Sequence, residues 1–380
     1  MKILHVSPAF FPATYWGGPI FSLASLCRAL ASEGVELRVL TTDSAGPHLS
    51  DRVDVIGNPA PLGANVAICY CRRLAGVSIS LALMARMLSS VRWADVVHLT
   101  GVYSFPTIPT LLACRLLRKP LVWSPRGALQ AWSRGSKPRL KSVWNAICRR
   151  LVRGMPLVMH VTSGDELEQS RARMPDVRQA LIPNGVPIPS RLPARSWQPG
   201  GRLRLLFLGR LHRIKGLENL LAALALVENP NVELVIRGNG EPRYTASLRE
   251  LAQKLTLQDR VRFAGHADEA AKLAGFTEAD VCVVPSHTEN FGLVVAESLA
   301  HGVPVVASTG TPWRELQDRG CGLWVENSPA QLAAAIDRIS RCDLSSMGYR
   351  GREWMQREYQ WGAIAARTLQ VYREIAAVNG

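Results

Sequence analysis

Two glutamates separated by seven residues, Glu289 and Glu297, form the pattern in the sequence with the clearest chemical meaning. An apolar run ends at Pro285, a polar loop carries Glu289, and a helical pattern begins near Gly292. A helix N-terminus offers backbone N–H groups to a diphosphate, and a carboxylate can accept hydrogen bonds from vicinal sugar hydroxyls. In the alternative interpretation Glu289 only caps the helix and Glu297 is merely exposed, but an unpaired charge in an apolar helix would be costly. The segment therefore fits a sugar nucleotide.

A second group of polar residues follows an earlier strand-like run. Gly209 ends that run, and Arg210 and Lys215 lie on the next loop. Two cations at this point could clamp both phosphates and offset the charge that develops on a departing nucleoside diphosphate. The alternative is a pair of unremarkable surface charges. Because no Asp-x-Asp occurs, a divalent metal has no evident ligands. We therefore predict a reaction without a metal or any other cofactor.

Strand-like runs alternate with helical patterns along the whole chain, which is typical of βαβ units on a parallel sheet. Strands are predicted at 2–6, 35–40, 94–99, 120–124, 157–162, 203–209, 232–238, 261–263, 279–285 and 303–307. Five prolines and three glycines between 183 and 201 indicate a linker. The sequence thus predicts an α/β protein with two Rossmann-like domains, divided at 185/186, whose sheets face an interdomain cleft.

Positive charge is concentrated in the first half of the chain. The net charge of +15 divides into +12 for residues 1–185 and +3 for residues 186–380. Segment 134–153 has seven basic residues and no acidic one, with Trp144, Ile147 and Leu151 interleaved and Trp132 preceding it. This composition suits a helix lying on anionic lipid, where each basic residue contributes about 1 kcal/mol. A solvated basic face is the alternative, and no motif indicates nucleic acid.

The remaining features indicate a cytoplasmic protein. The chain begins with a short strand-like run instead of a secretory signal, and no apolar run is long enough to span a membrane. Its eight cysteines include no Cys-x-x-Cys pair. We predict a peripheral location at the inner face of the plasma membrane.

The sequence resembles the retaining glycosyltransferases of glycosyltransferase family 4, whose hallmark is two glutamates separated by seven residues. The similarity extends over most of the chain. Its further motifs are Gly17-Gly18-Pro19, Asp95-Val96-Val97-His98, Ile182-Pro183-Asn184-Gly185-Val186, the Gly-Arg-Leu-x-x-x-Lys-Gly pattern at 209–216, Gly238-Asn239-Gly240 and Gly265-His266. The resemblance implies the GT-B fold, with a donor domain at 186–357 and a C-terminal helix of about 358–380 packed back on the acceptor domain.

The resemblance also implies roles for individual residues. Arg210 and Lys215 would bind the donor diphosphate, Glu289 the transferred sugar and Glu297 the ribose. The other donor-binding residues would be Gly17, Gly18, Gly238, His266 and the run Asn290, Phe291, Gly292 and Leu293. Retention of the anomeric configuration is implied as well, with the leaving phosphate deprotonating the acceptor.

The acceptor side departs from the family pattern. Many members carry His-x-His at the end of the fourth strand, whereas this chain has His98-Leu99-Thr100. The Thr100 hydroxyl could bind the sugar but is not a base near neutral pH. His98 is either on the sugar side of the site or a structural residue. Arg126, in a Ser-Pro-Arg-Gly motif that resembles polysaccharide-assembly enzymes, either meets an acceptor phosphate or uronate or has a structural partner.

The leading hypothesis is a hexosyltransferase. It would use a UDP- or GDP-sugar and a saccharide acceptor, lipid-linked, in cell-surface polysaccharide or lipopolysaccharide synthesis. The alternatives are transfer to a soluble small molecule, a sugar-nucleotide epimerase of the same architecture and a non-catalytic sugar-nucleotide sensor. A nicotinamide-dependent dehydrogenase is disfavoured because Gly238-Asn239-Gly240 lacks a third glycine at the required offset.

Overall fold

The computed structural model describes residues 1–54, 62–130 and 138–377. The chain divides into two compact units, the first comprising Met1–Gly185 with Trp361–Gly380 and the second comprising Val186–Gln360. Each unit contains one parallel sheet with helices on both faces. This architecture confirms the predicted α/β class with two Rossmann-like domains.

The first unit is built on a seven-stranded parallel sheet in the order β3-β2-β1-β4-β5-β6-β7. Its strands are β1 (Lys2–Val6), β2 (Glu36–Thr42), β3 (Val66–Cys71), β4 (Val96–Thr100), β5 (Leu121–Ser124), β6 (Leu157–Val161) and β7 (Arg178–Leu181). The helices that connect them are α1 (Gly18–Ser32), α2 (Leu81–Trp93), α3 (Thr107–Leu116), α4 (Pro138–Val152) and α5 (Gly164–Arg173). Helices α2, α3 and α4 bury their apolar faces in one core, and α1 belongs to the core on the other face.

The second unit has a six-stranded parallel sheet in the order β10-β9-β8-β11-β12-β13. Its strands are β8 (Leu203–Leu208), β9 (Val232–Arg237), β10 (Val261–Gly265), β11 (Val281–Val284), β12 (Val305–Ser308) and β13 (Gly322–Val325). Its helices are α6 (Leu217–Leu226), α7 (Pro242–Lys254), α8 (Glu269–Glu278), α9 (Leu293–Ala300), α10 (Pro329–Ser340) and α11 (Leu344–Glu358). Side chains of α6, α7 and α10 fill one core, and those of α8 and α9 fill the other.

The last helix, α12 (Trp361–Ala377), belongs to the first unit and packs with α1. The sequence expectation placed this helix at about 358–380; the observed helix begins at Trp361, and residues 378–380 lie outside the described range. The chain therefore leaves the first unit after Gly185 and returns to it at Trp361. The backbone N–H of Val186 donates to the Tyr359 carbonyl at 2.8 Å, so the two ends of the second unit are paired.

Because the strands of each sheet are parallel, the loops that follow their carboxyl ends share one edge. In the second unit these loops carry the two strongest sequence motifs, at 209–216 after β8 and at 285–292 after β11. Strands β8 and β11 are neighbours in the sheet. The fold therefore brings together two loops that are separated by about 70 residues of sequence.

Candidate active site

Lys215 and Glu289 form an ion pair at this edge of the second sheet. Lys215 ends a short 3-10 turn after β8, and its Nζ contacts Glu289 Oε1. The same carboxylate oxygen accepts a hydrogen bond of 2.8 Å from Ser286 Oγ, and the Glu289 backbone N–H donates to the Gly310 carbonyl at 2.8 Å. Both side chains are largely buried, at 23% and 14% exposure. The two sequence motifs thus meet directly.

The two loops are held together by backbone contacts. The His287 N–H donates to the Ile214 carbonyl at 2.8 Å, and Asn327 Nδ2 donates to the Pro285 carbonyl at 2.6 Å. Gly216 has φ +65°, and a Cβ at this position would lie 2.0 Å from the Pro285 oxygen. Only glycine allows the lysine loop to approach so closely. Asn327 and Ser286 were not identified from the sequence because nothing in its local pattern connects them to Lys215.

Glu297, the second glutamate, is paired with a lysine that sequence reasoning also missed. Lys272 Nζ lies 2.7 Å from Glu297 Oε1, and the two side chains are 20% and 18% exposed. Burial raises the pKa of Glu297, and the Lys272 ammonium partly offsets this effect. Burial disfavours the charged form of Lys272, but the Glu297 charge and hydrogen bond outweigh it and raise the pKa of Lys272. The alternative in which Glu297 is an exposed, unpaired residue does not hold.

Helix α9 begins directly after the polar loop. Gly292 precedes it with φ +75°, and no described side chain caps the first turn. Phe291 is buried, with its ring against Trp313, whose Nε1 donates to the Phe291 carbonyl. The loop from Asn290 to Leu293 is thus fixed by an aromatic contact. Because the residue before the helix is a glycine, no side chain at that position caps the backbone N–H groups at the start of α9.

Glycines also shape the ends of β9 and β10. Gly238 has φ +148°, and a Cβ there would lie 1.8 Å from the Gly209 oxygen. A cavity of about 350 Å³ at these strand ends is lined by Gly238, Phe263 and Gly265 among others. The Arg249 guanidinium lies 4.7 Å from the centre of the Phe263 ring. His266 follows Gly265 and is exposed. Arg210 is exposed as well, and it forms no ion pair with any residue that the structure describes.

The other predicted site residues belong to the first unit. Gly17 has φ +71° and precedes α1, which begins at Gly18, with open space where a Gly17 Cβ would lie. Thr100 ends β4 and is 6% exposed; its Oγ1 is buried and has no hydrogen-bond partner among the described residues. Thr100 therefore keeps a buried hydroxyl group available at a strand end.

His98 is a core residue of the first unit. Its Nδ1 lies 2.5 Å from the Tyr372 hydroxyl and its Nε2 lies 2.7 Å from Ser124 Oγ, so both ring nitrogens are engaged. The ring is fully buried. Burial is the main cause that holds the pKa of His98 well below its usual range, and the neighbouring His5, His160 and Arg126 add to it. Of the two interpretations left open by the sequence, this environment favours the structural one over a role in sugar binding.

Arg126 lies on the loop after β5 in the left-handed region, with φ 53°. Its Nη1 donates to Asn184 Oδ1 at 2.5 Å, while its Nε is buried without a hydrogen-bond partner among the described residues. Burial lowers the pKa of Arg126, and Glu166 acts in the opposite direction. The buried Glu166 carboxylate also accepts the Gly127 N–H. Arg126 thus has a structural partner, yet part of its guanidinium hydrogen-bonding capacity is unused.

The predicted basic segment corresponds in part to α4. Trp132, Arg134 and Lys137 lie outside the described residues. The exposed apolar stripe of α4 is formed by Leu140, Val143 and Ile147. Trp144 instead turns inward, where its Nε1 donates to the Val102 carbonyl at 2.8 Å, and Leu151 packs against the core. The helix is amphipathic as expected, but two of the three expected apolar residues face the protein because the helical phase places them on the core side.

Neither a membrane-spanning helix nor a metal-ligand cluster occurs within residues 1–54, 62–130 and 138–377. No helix in these ranges is long and apolar enough to cross a membrane. No group of three or more His, Cys, Asp or Glu side chains there could hold a metal ion.

Comparison with known families identifies the class of protein. Residues 192–354 match a family described as glycosyl transferases group 1, and residues 17–185 match a glycosyl transferase 4-like domain. The two matches cover most of both units. The chain belongs to the group 1 glycosyltransferases, has the GT-B fold and is a transferase, which confirms the resemblance drawn from the motifs.

Individual relatives differ in their named activities. A phosphatidyl-myo-inositol mannosyltransferase of Mycobacterium leprae is 29% identical over 99% of this chain and 97% of its own length. Matches to several other curated relatives span about half of this chain and about half of each relative. Sucrose-phosphate synthase from Thermosynechococcus elongatus has the same fold, with a TM-score of 0.74 and 24% identity over 99% of both chains. Anabaena HepE in complex with UDP-glucose has a TM-score of 0.70 and 18% identity, covering 100% of this chain and 99% of that one.

Proposed function

We propose that this protein transfers a hexose from a UDP- or GDP-sugar to a lipid-linked saccharide, with retention of configuration and without a metal. The observation that carries the proposal is the Lys215–Glu289 pair, which joins a cation suited to phosphate with a carboxylate suited to sugar hydroxyls. The fold alone would not specify this chemistry. The product would enter cell-surface polysaccharide or lipopolysaccharide.

In the proposed reaction the bond from the sugar C1 to the phosphate oxygen breaks, and its electron pair remains on the diphosphate. The acceptor oxygen forms the new bond to C1 on the same face, and its proton passes to the departing phosphate. Lys215 and the exposed Arg210 would stabilise the growing negative charge, together with the amides of Asn290 to Leu293. In the structure Lys215 is paired with Glu289, so phosphate binding would draw the ammonium away and free the carboxylate for sugar hydroxyls.

Glu297 is proposed to hold the ribose, with Lys272 maintaining its charge. The cavity beside Gly238 would take the base, with Phe263 as an apolar wall and His266 at its border. A fold neighbour, Anabaena HepE, has been crystallised with UDP-glucose, which supports a donor of this class. Gly17 and Gly18 are proposed to contribute backbone contacts to the phosphates.

The acceptor is proposed to be anionic and lipid-linked. Residues 1–185 carry most of the positive charge, and a relative that matches nearly the whole chain is named for a phospholipid acceptor. Arg126 retains an unpartnered buried Nε among the described residues and would meet an acceptor phosphate or uronate. The Thr100 hydroxyl would contact the sugar. Such an acceptor implies a peripheral location at the cytoplasmic face of the plasma membrane.

A donor screen by thermal shift, followed by a transfer assay, tests the proposal. A UDP- or GDP-hexose present at 100 times its dissociation constant should stabilise the protein by about 2.7 kcal/mol. Nuclear magnetic resonance of the product should then reveal the same anomeric configuration as the donor. Stabilisation by none of the UDP-, GDP- or ADP-sugars would contradict the donor assignment. Conversion of the donor into a second nucleotide sugar without acceptor would favour an epimerase.

Lys272→Met should make donor binding more sensitive to acid. Without the ammonium, burial and the nearby Glu269 charge act on Glu297 unopposed and raise its pKa further. The carboxylate then becomes protonated at a higher pH and accepts ribose hydrogen bonds less well. We expect the donor KM to rise several-fold as pH falls from 8 to 6, with kcat little changed and Lys272→Arg close to wild type. Lys254→Met, at an exposed position on α7, is the matched control. A KM profile parallel to that of the wild type would refute this role.

A further inference from the structure

A row of exposed apolar side chains begins in the loop after β3 and continues along α2. We call this row the apolar wedge, and it consists of Leu74, Val77, Ile79, Leu81, Met84 and Leu88. Each of these six side chains is more than 40% exposed. The opposite face of α2 is buried through Leu83, Met87 and Val91. The core of the first unit is therefore complete without the wedge side chains.

The wedge has a defined conformation. The Leu74 N–H donates to the Ile79 carbonyl at 2.8 Å, and the Ile79 N–H donates back to the Ala75 carbonyl at 3.1 Å. Ser78 Oγ accepts the Phe105 N–H at 3.2 Å, and Ser80 Oγ caps α2 by accepting the Leu83 N–H at 3.2 Å. The apolar side chains are thus presented outward by a hydrogen-bonded loop.

The exposed apolar surface continues beyond α2. Helix α3 packs between α2 and α4 on the same face of the sheet and exposes Leu112 and Leu116. Helix α4 adds the stripe that contains Leu140 and Ile147. Single exposed leucines are common, but apolar residues grouped on three adjacent helices indicate an interaction surface.

The charge around this surface specifies its partner. The only acidic residue between Asp54 and Asp165 is Asp95, which precedes β4 at the amino end of the sheet and accepts the Lys2 N–H. Exposed arginines instead border the apolar residues, at positions 72, 86 and 92 beside the wedge and at positions 139 and 150 on α4. Pairing with a second copy through a two-fold axis would bring like charges together. An apolar surface rimmed by cations matches an anionic bilayer.

We propose that the apolar wedge inserts among the acyl chains of an anionic bilayer while the arginines of α2 and α4 contact the headgroups. This proposal rests on the proposed function in one respect, because a lipid-linked acceptor would require the enzyme to bind the membrane. Wedge residues make no contribution to the donor site.

Vesicle flotation of the full chain tests this proposal. Wild-type protein should float with phosphatidylcholine vesicles that contain about 30 mol% phosphatidylglycerol, which gives the surface a strong negative charge. It should float far less with vesicles of phosphatidylcholine alone. Val77→Ser with Leu81→Ser should lower the partition coefficient at least about tenfold. Leu226→Ser with Tyr349→Ser, which removes exposed apolar side chains from the second unit, should not. Arg139→Gln with Arg150→Gln should reduce the preference for anionic vesicles.

Three outcomes would overturn the proposal. One is a wild-type protein that fails to float at low salt, and another is an equal loss of binding in the control variant. The third is a wild-type dimer in sedimentation that the wedge variant converts to monomer, because the surface would then serve a second copy. The donor thermal shift is measured without lipid, so the donor assignment stands or fails separately from membrane binding. Every wedge variant should keep the wild-type donor shift, which also reports that it is folded.

Discussion

Lys215→Ala should lower kcat about 100-fold or more. The reason is electrostatic: the variant lacks a cation that would stabilise the departing diphosphate, and loss of one such preorganised group commonly costs 10²- to 10³-fold in rate. The effect should fall mainly on kcat, because the charge on the diphosphate grows in the transition state. Steady-state kinetics with the best donor from the thermal-shift screen would measure it. An unchanged turnover number would refute the assignment of Lys215 to the phosphates.

Arg213 provides a matched control within the same 3-10 turn. Its guanidinium lies 5.6 Å from the centre of the Tyr244 ring, whereas Lys215 contacts Glu289. Arg213→Ala therefore removes an equal charge from the same loop and should leave kcat within about threefold of wild type, the range expected for a surface charge outside the site. Glu289→Gln should resemble Lys215→Ala, because the amide keeps the shape of the side chain but loses the charge opposite Lys215. Equal losses in Arg213→Ala and Lys215→Ala would indicate a general effect of loop charge.

The second large effect concerns acid stability and originates in the core of the first unit. His5, His98 and His160 are all buried, with ring centres 4.5 Å apart for the first pair and 5.5 Å apart for His98 and His160. Burial is the main cause that lowers the pKa of His5 and of His160 to about 3, and the Arg126 charge adds to it. The pKa of His98 is lowered well below its usual value as well. These histidines are neutral in the folded protein across the physiological range.

The sign of the pH effect follows from proton binding. Above the unfolded pKa of about 6.5 neither state is protonated at these sites, and the histidines impose no penalty. Below it the unfolded chain binds protons that the folded protein excludes, so the free energy of unfolding falls from about pH 6.5 down towards pH 3. With three such groups the slope approaches about 4 kcal/mol per pH unit. Urea unfolding at pH 7.5, 6.5 and 5.5 would measure it.

A single substitution isolates the contribution of the cluster. His5→Phe removes one titrating group whose Nδ1 has no hydrogen-bond partner in the described structure. It should reduce the acid slope by about 1.4 kcal/mol per pH unit, which corresponds to one proton. His48→Gln, at an exposed position, should leave the slope unchanged. A free energy of unfolding that is flat between pH 7.5 and 5.5 in the wild type would contradict the prediction.

The fold was predictable because its central strands are buried on both faces and read as continuous apolar runs. The three strands without a sequence prediction, β3, β7 and β13, all lie at sheet edges. An edge strand has one neighbour and is only partly buried; β7, for example, is Arg178–Leu181 with no fully buried residue. Its sequence therefore lacks the apolar pattern on which the prediction depends.

The candidate site was predictable where its residues belong to a local sequence pattern and not where only the fold connects them. Glu289 and Glu297 stand in a recognisable local pattern, whereas Lys272 comes to Glu297 only because α8 and α9 pack together in one core. The environment of His98 likewise depends on Tyr372, which is 274 residues away in sequence. No spacing rule connects such pairs, and the sequence accordingly left the role of His98 open.

The return of the chain to the first unit at Trp361 has a consequence for biosynthesis. Residues 186–360 form an uninterrupted unit, so all strands and helices of the second unit come from one continuous stretch of the chain. The first unit must wait for α12, because that helix packs with α1 and supplies Tyr372 to His98. Although it is translated first, this unit is the last to be finished. A premature stop within the final seventeen-residue helix would therefore damage the half of the protein that was synthesised earliest.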